Sequence, residues 1–415
     1  MKVTMFHFMP YRELPDDAEK RYRSLWIDAP WHELADAAQT GEFYNQSIDE
    51  LMLAAELGFD GLGLNEHHQN PYGFMCNPNL FGAILARLTR DRGLDDVALV
   101  QLGATISSTA PPIRIAEEYA VLDCVSGGRL IAGLPVGLGA DATVSYGITP
   151  LEQRERWREA LELMVKAWTS REVFAWNGKH FQLPRVNLWP RPVQEPHPPL
   201  LIPGAASSST WDFCHDRDLP YAFLSYFGGK SSEAVMSRFW QRAADRGKDA
   251  NPYRASFLQI VGVSDTDEHA EAEFGRHAEF FYHKLMHLPG PYLAPPGYSD
   301  YKSLLHLFRS NMFEFTDYAE DLKRLTARDM IDREFVVIGS AATVRERLEE
   351  MVRKLNVGHL MVVLQFGSMP HEQAMENVEL FGREVLPHLQ AIWRDDGWEN
   401  QWWPKRCNRT PEVVA

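Results

Sequence analysis

F-D-G-L-G-L-N-E-H-H-Q-N-P-Y-G-F-M-C-N-P-N, Phe59 to Asn79, is the stretch on which the fold reading turns. Leu62, Gly63 and Leu64 form a short apolar run of the kind that makes a strand buried on both faces. The run ends in Asn65, Glu66, His67 and His68, followed by a loop rich in Pro, Gly and Asn. A carboxylate and two imidazoles in succession suit the C-terminal end of a barrel strand, where α/β barrels place their chemistry. They would equally suit a polar turn capping the strand, and spacing alone leaves both readings open.

On either side of this stretch, strands and helices alternate. Lys2 to Phe8 reads as a first strand, followed by a long polar excursion holding Trp26, Pro30 and Trp31. Ile48, Leu51, Leu53, Ala54 and Leu57 mark a helical stripe over 46–57, with Gly58 as its stop. Downstream, strands are predicted at Val97–Ile106, Leu130–Leu134, Pro199–Ile202, Tyr221–Tyr226, Ala255–Val263, Phe335–Ile338 and His359–Leu364, with helical segments between them. Asn177-Gly178, between two short apolar runs, predicts a hairpin with a type I′ turn.

Such a series closes most naturally as an α/β (β/α)8 TIM barrel. The expected domain is 1–390, with a hairpin insertion at about 170–198 and a long late insertion at about 288–332. The Trp-rich tail, 391–415, is expected to pack on the barrel or on a partner subunit. The late insertion is too long for an ordinary connection and too aromatic for disorder; it reads as a lid over the site, with a subunit contact as the rival reading. An open doubly wound sheet is the alternative, but no G-x-G-x-x-G turn follows the first strand.

Composition narrows the function. At 415 residues, with 45% hydrophobic and 24% charged residues, the chain has the balance of a globular enzyme. A formal net charge of −15 argues against nucleic acid or an anionic membrane as partner. No apolar run approaches the roughly 20 residues of a membrane span. The start of the chain reads as a strand and lacks a signal-peptide h-region. The four cysteines show no C-x-x-C spacing, which indicates neither a zinc site nor a disulfide framework. A cytoplasmic protein is the expectation.

Four places carry candidate chemistry. Glu66, His67 and His68 could act as acid, base or hydrogen-bond donor; a metal site would need a further ligand, such as His7, from another strand end. Gly103, Ala104 and Thr105, running on to Ser108, are small enough for a flat ligand to lie against the backbone, or simply to pack on a helix. Ser207, Ser208, Ser209 and Thr210 set hydroxyls beside the free N–H groups of a helix start, which suits a phosphate, although one serine could merely cap. Arg154, Arg156 and Arg158 lie on one helix, and the spacing does not say which of them reaches an anion.

These motifs together resemble the bacterial luciferase-like flavin monooxygenases. F-D-G-L-G-L-N-E-H-H is similar to the luciferase α-chain segment in which a strand ends in Glu-His-His. Thr109 to Arg129 is similar to the family's third helix, and Val337 through Leu389 to its last β/α units. The resemblance implies a barrel that binds reduced FMN, on which O2 forms a flavin C4a-(hydro)peroxide that oxygenates a small organic substrate. It implies His67 as the catalytic histidine, with Glu66 and His68 beside it. Gly103, Ala104 and Thr105 would lie beneath the ring, where luciferase has a cis peptide. Arg154, seven residues after Gly147, would bind the phosphate together with Ser207, Ser208, Ser209 and Thr210.

The chain departs from that pattern where luciferase has Cys-Arg after the fourth strand, here Pro135 and Val136, and at Ala205-Ala206 in place of Glu-Ser. These departures argue against light emission and a fatty aldehyde substrate. With no second nucleotide-binding domain in view, an NAD(P)H-dependent flavin reductase is the expected partner. A homo-oligomer, dimer or tetramer, is expected, and no metal. A deazaflavin-dependent oxidoreductase of the same superfamily is the alternative. A non-catalytic flavin-binding barrel is a third reading, which the retained His67 opposes.

Overall fold

Eight parallel strands close into a barrel in the computed structural model, which describes residues 1–224, 226, 228–293, 295, 297–298 and 321–408. In chain order the strands are β1 (Lys2–His7), β2 (Gly61–Leu64), β3 (Ala98–Gln101), β4 (Leu130–Gly133), β5 (Phe174–Asn177), β6 (Gln182–Val186), β7 (Leu200–Gly204), β8 (Tyr221–Leu224), β9 (Ala255–Ser264), β10 (Val336–Ser340) and β11 (His359–Val363). The barrel runs β1-β2-β3-β4-β7-β8-β9-β11 and returns to β1. This is a TIM barrel, as the alternation predicts.

The period of two sorts each strand into an inner and an outer face. Phe6, Val100, Ile131, Leu258 and Met361 belong to the inner cluster, while Leu62, Leu64, Leu99 and Leu130 meet the helices. Strand β2 has glycine at its inward positions. A Cβ on Gly63 would come within 2.8 Å of Phe6 Cδ2, so the phenyl ring occupies the space that a side chain would need.

β10 departs from the sequence reading. It is not a barrel stave. β9 is ten residues long, and its ladders with β8 and β11 end at Leu258 and Ile260. Its apolar run continues past that point, and β10 pairs with the overhang from Ile260 to Ser264. The β3 strand is shorter than the apolar run Val97–Ile106, because the chain turns left-handed at Ala104 with φ 69°.

Local signals set the helix ends. The first long helix is Ala37–Glu56, starting well before Gln46 because Asp36 accepts the Gln39 N–H. Ile113–Ser126 stops at Gly127, whose φ of 69° suits only a residue that tolerates the left-handed region. The hairpin β5–β6 has a four-residue loop, 178–181, in place of the two-residue turn predicted, with Asn177 paired to Gln182. Glu159 accounts for the difference: its carboxylate accepts the N–H groups of His180 and Phe181 and the Trp176 indole, drawing the loop onto the Pro150–Thr169 helix.

Trp402 and Trp403 are buried at the N-terminal mouth of the barrel, where Trp403 lies 5.3 Å from the His359 ring. Of the late insertion, 299–320 lies outside the described residues, and most of the lid reading falls there. Its start reaches the β4 loop, where Tyr298 OH donates to Gly137 O at 2.8 Å.

Candidate active site

The C-terminal ends of β2, β3, β4 and β7 supply the site. Immediately after β2, Glu66 turns toward the β3 loop, and its two oxygens accept Ala104 N–H at 2.9 Å and Thr105 N–H at 3.0 Å. Gly103 permits this approach, since a Cβ there would sit 2.5 Å from Glu66 Cβ. His68 Nε2 completes the carboxylate's shell at 3.0 Å from Oε1. Burial alone would raise the Glu66 carboxyl, but the hydrogen bond from His68 and those from the two backbone N–H groups hold it below its ordinary value. Glu66 is therefore an anion whose lone pairs are spent on fixing the 103–105 loop.

The far side of His68 meets Tyr146 OH at 2.9 Å from Nδ1. Burial, with the charge of Glu66, raises the Tyr146 phenol, so it keeps its proton and donates it. His68 is clamped between phenol and carboxylate, with Nδ1 on Tyr146 and Nε2 on Glu66.

His67 faces the other way. Its Nδ1 lies 2.9 Å from Asp141 Oδ2, while Asp141 Oδ1 accepts the His68 backbone N–H at 3.1 Å. Asp141 stands in the first turn of a π-helical segment, Ala140–Ser145, which follows β4. The rings of Trp26 and Tyr72 meet the imidazole edge-on at 5.3 and 4.7 Å.

The second group of residues gathers at the start of the Ser208–Asp216 helix. Arg154 Nη1 donates to Thr210 Oγ1 at 3.0 Å, and Ser207 and Ser209 hydroxyls lie 3.1 Å apart. Arg154 Nε is buried with no partner among the described residues. A buried guanidinium N–H left without a partner beside hydroxyls and a helix N-terminus has the chemistry of a phosphate site, so these residues could hold the phosphate of a cofactor. Arg156 is engaged elsewhere, donating to Ser107 O and lying 5.0 Å from the Phe181 ring.

Gly103, Ala104 and Thr105 are buried and form the loop that Glu66 holds. The Gly103–Ala104 peptide is not among the cis bonds of the described residues, which are Ala110–Pro111, Trp189–Pro190 and Glu195–Pro196. His7 turns to Glu50, 2.6 Å away, and joins no metal cluster; among the described residues no group of His, Cys, Asp or Glu could hold a metal ion.

Sequence reading passed over Asp141, Tyr146, Trp26 and Tyr72. Asp141 leaves one trace, being the sole acidic residue between Asp123 and Glu152. Trp26 lies in an aperiodic excursion, and its contact with His67 could not have been read from spacing.

Comparison with known proteins identifies the family and the fold. A profile of the luciferase-like monooxygenases matches residues 11–357. The chain is 28% identical over 353 residues to an uncharacterised protein of Sinorhizobium fredii, covering 83% of this chain and 92% of that protein. It is 25% identical over 348 residues to the alkanal monooxygenase alpha chain of Photobacterium leiognathi, covering 81% and 90%. With the oxygenase component of the flavin-dependent trigonelline monooxygenase of Acinetobacter baylyi it shares 24% over 244 residues, 57% and 64% of the two chains.

Among solved structures, the oxygenating constituent of 3,6-diketocamphane monooxygenase from Pseudomonas putida, in complex with FMN, superposes with a TM-score of 0.68 at 18% identity, covering 93% and 98%. An F420-dependent secondary alcohol dehydrogenase superposes at 0.60 and 15%, covering 94% and 98%. Both share the barrel. The profile spans most of the chain, from the excursion after β1 to the last helix before β11, and the protein belongs to the luciferase-like monooxygenases.

Proposed function

We propose that the chain is the oxygenase component of a two-component system. It takes reduced FMN from a separate NAD(P)H-dependent flavin reductase and uses O2 to oxygenate a small organic substrate. The observation that carries this reading is the buried, unpartnered Arg154 Nε on a guanidinium bonded to Thr210, at the same end of the barrel as His67. The reduced flavin supplies the electrons and the centre at which O2 is activated. The chain supplies the rest. Arg154, Thr210 and the Ser207–Ser209 hydroxyls take the phosphate, and 103–105 provides a backbone floor for the ring. Glu66 and His68 hold that floor, and His67 presents a nitrogen to the reacting atoms.

A relative named as an oxygenase component supports the separate reductase. Exposed Leu80 and Ile84 on the Pro78–Asp91 helix, beside Val121 and Val125 on the neighbouring Ile113–Ser126 helix, support a homo-oligomer. Sedimentation would show it. Four free cysteines, and no helix among the described residues long and apolar enough to cross a membrane, accord with the cytoplasm.

Anaerobic titration with reduced FMN and with reduced F420 tests the cofactor. A substrate screen with reductase, NADH and O2, read by mass spectrometry for one added oxygen, tests the reaction. Tight FMN binding and an oxygenated product are expected. Binding of F420 alone, with substrate turned over in the absence of O2, would replace this reading with the deazaflavin one.

A further inference from the structure

His67 has a defined polarity. A carboxylate only accepts, so the 2.9 Å contact with Asp141 Oδ2 requires a proton on His67 Nδ1. The second Asp141 oxygen is held by the His68 backbone N–H at 3.1 Å, and the residue is 3% exposed. The carboxylate is thus anchored in the protein and cannot swing away. Trp26 and Tyr72 fix the plane of the ring, and a Cβ on Gly73 would lie 3.4 Å from His67 Cδ2. Among the described residues the His67 side chain makes its hydrogen bond through Nδ1, none engages Nε2, and the side chain is 16% exposed. One imidazole nitrogen is locked inside the protein, and the other is left without a protein hydrogen bond among the described residues on a side chain that keeps some exposure.

We propose that Asp141 is a positioning residue that acts through His67. By fixing the proton on Nδ1 it leaves the Nε2 lone pair as the proton acceptor at the reaction centre. This rests on the monooxygenase reading above. The step is a proton transfer: an O–H or N–H bond of the group meeting Nε2 breaks, its electron pair stays on the oxygen or nitrogen, and the proton joins Nε2. The imidazolium so formed sits against the Asp141 carboxylate, which balances its charge; nothing is oxidised or reduced. Which nitrogen of a histidine is available is set in general by the partner of the other one, and a positioned base of this kind contributes about 10²–10⁴ in rate.

Asp141→Asn separates this role from a structural one. The His68 N–H cannot turn, so the amide oxygen stays on it and the new NH2 faces His67 Nδ1. That nitrogen must then accept, and the proton moves to Nε2. Nitrogen NMR of ¹⁵N-histidine-labelled protein, without flavin and under alkaline conditions, should show His67 protonated at Nδ1 in the wild type and at Nε2 in the variant. Turnover should fall about 10²–10⁴-fold with FMN affinity unchanged. In a His67→Asn background the same change should cost nothing further, because the two residues act as one unit.

An Nε2–H tautomer in the wild-type protein would overturn the proposal even if the variant fails to fold. An equal loss in both backgrounds would overturn it too. Failure of the wild-type protein to bind any flavin would end the functional reading instead, and leaves the tautomer measurement as it stands.

Discussion

Arg154 Nη1 reaches Thr210 Oγ1 at 3.0 Å, across 56 positions of sequence and from the helix after β4 to the helix after β7. Two residues singled out separately for the same anion are thus brought together by barrel closure. Arg154→Ala should weaken FMN binding by about 1.5–3 kcal/mol, roughly 10- to 150-fold. Riboflavin, which lacks the phosphate, should bind the variant nearly as it binds the wild type. Parallel titrations decide; an equal loss for both ligands would assign Arg154 to the scaffold.

The barrel was legible because its signal is periodic. Short apolar runs such as Leu62–Leu64 and Leu130–Leu134 alternate with helical stripes, and right-handed closure leaves few topologies. What escaped was long-range. Nothing local in Val336–Ser340 distinguishes a barrel stave from a strand paired to the overhang of β9. The Asn177-Gly178 turn obeyed Glu159, a helix residue, over its own sequence preference. At the site, the Glu-His-His run was readable as chemistry because consecutive polar residues are anomalous at a strand end. Asp141, which decides what His67 can do, lies 74 residues away on a π-helical turn that no periodicity announces.

His67→Ala should fold and bind flavin, since its ring touches neither the Arg154 cluster nor the 103–105 loop by any hydrogen bond of the described residues. Turnover should fall about 10²–10⁴-fold, with the reduced flavin oxidised by O2 without product. Product formed per NADH consumed is the measurement. An unchanged ratio and an unchanged rate would remove His67 from the reaction.

A buried charge cluster beneath the mouth makes stability depend on pH. Glu50 is 0% exposed and holds His7 at 2.6 Å, Arg12 at 3.0 Å and His371 at 2.9 Å. Burial opposes its ionisation, but hydrogen bonds from His371 and His7 and the Arg12 charge bring its carboxyl down to about 2. A depressed carboxyl contributes stability above its unfolded value near 4.5 that is lost as pH falls toward 2. His7, kept neutral by burial, adds a loss that begins as pH falls below 6.5. Urea midpoints should therefore decline on the acid side. Glu50→Ala, which strands Arg12 in the interior, should cost about 3–5 kcal/mol at neutral pH. A variant as stable as the wild type would show the cluster to be energetically idle.

His371 should act in the opposite direction. The hydrogen bond to Glu50 raises its imidazole, so its contribution is complete below 6.5 and fades as pH rises through the raised value. His371→Gln should be less stable than the wild type in mildly acidic buffer and lose that difference in alkaline buffer. Midpoints measured at both ends check it, and a difference that does not change with pH would show His371 to be neutral throughout.

Gly139 connects the late insertion to the phosphate-binding side of the barrel. A Cβ there would overlap Pro295 Cδ and come within 3.2 Å of Tyr292 O, so alanine cannot enter without displacing that stretch. The same stretch ends in Tyr298, whose hydroxyl is bonded to Gly137 O and whose phenol, raised by burial, feels the Arg154 guanidinium in the other sense. Overpacking of this kind costs about 1–3 kcal/mol. Spent on undocking Tyr292, Pro295 and Tyr298, that would raise the open population by roughly 5- to 150-fold. Gly139→Ala should accordingly be cleaved faster by a trace protease beside 292–298, while the barrel core keeps its thermal midpoint. It should also release FMN faster, because the neighbour of Arg154 has been loosened. Faster cleavage with FMN release unchanged would separate this stretch from the cofactor. Cleavage at the wild-type rate would mean that the Pro295 contact holds nothing in place.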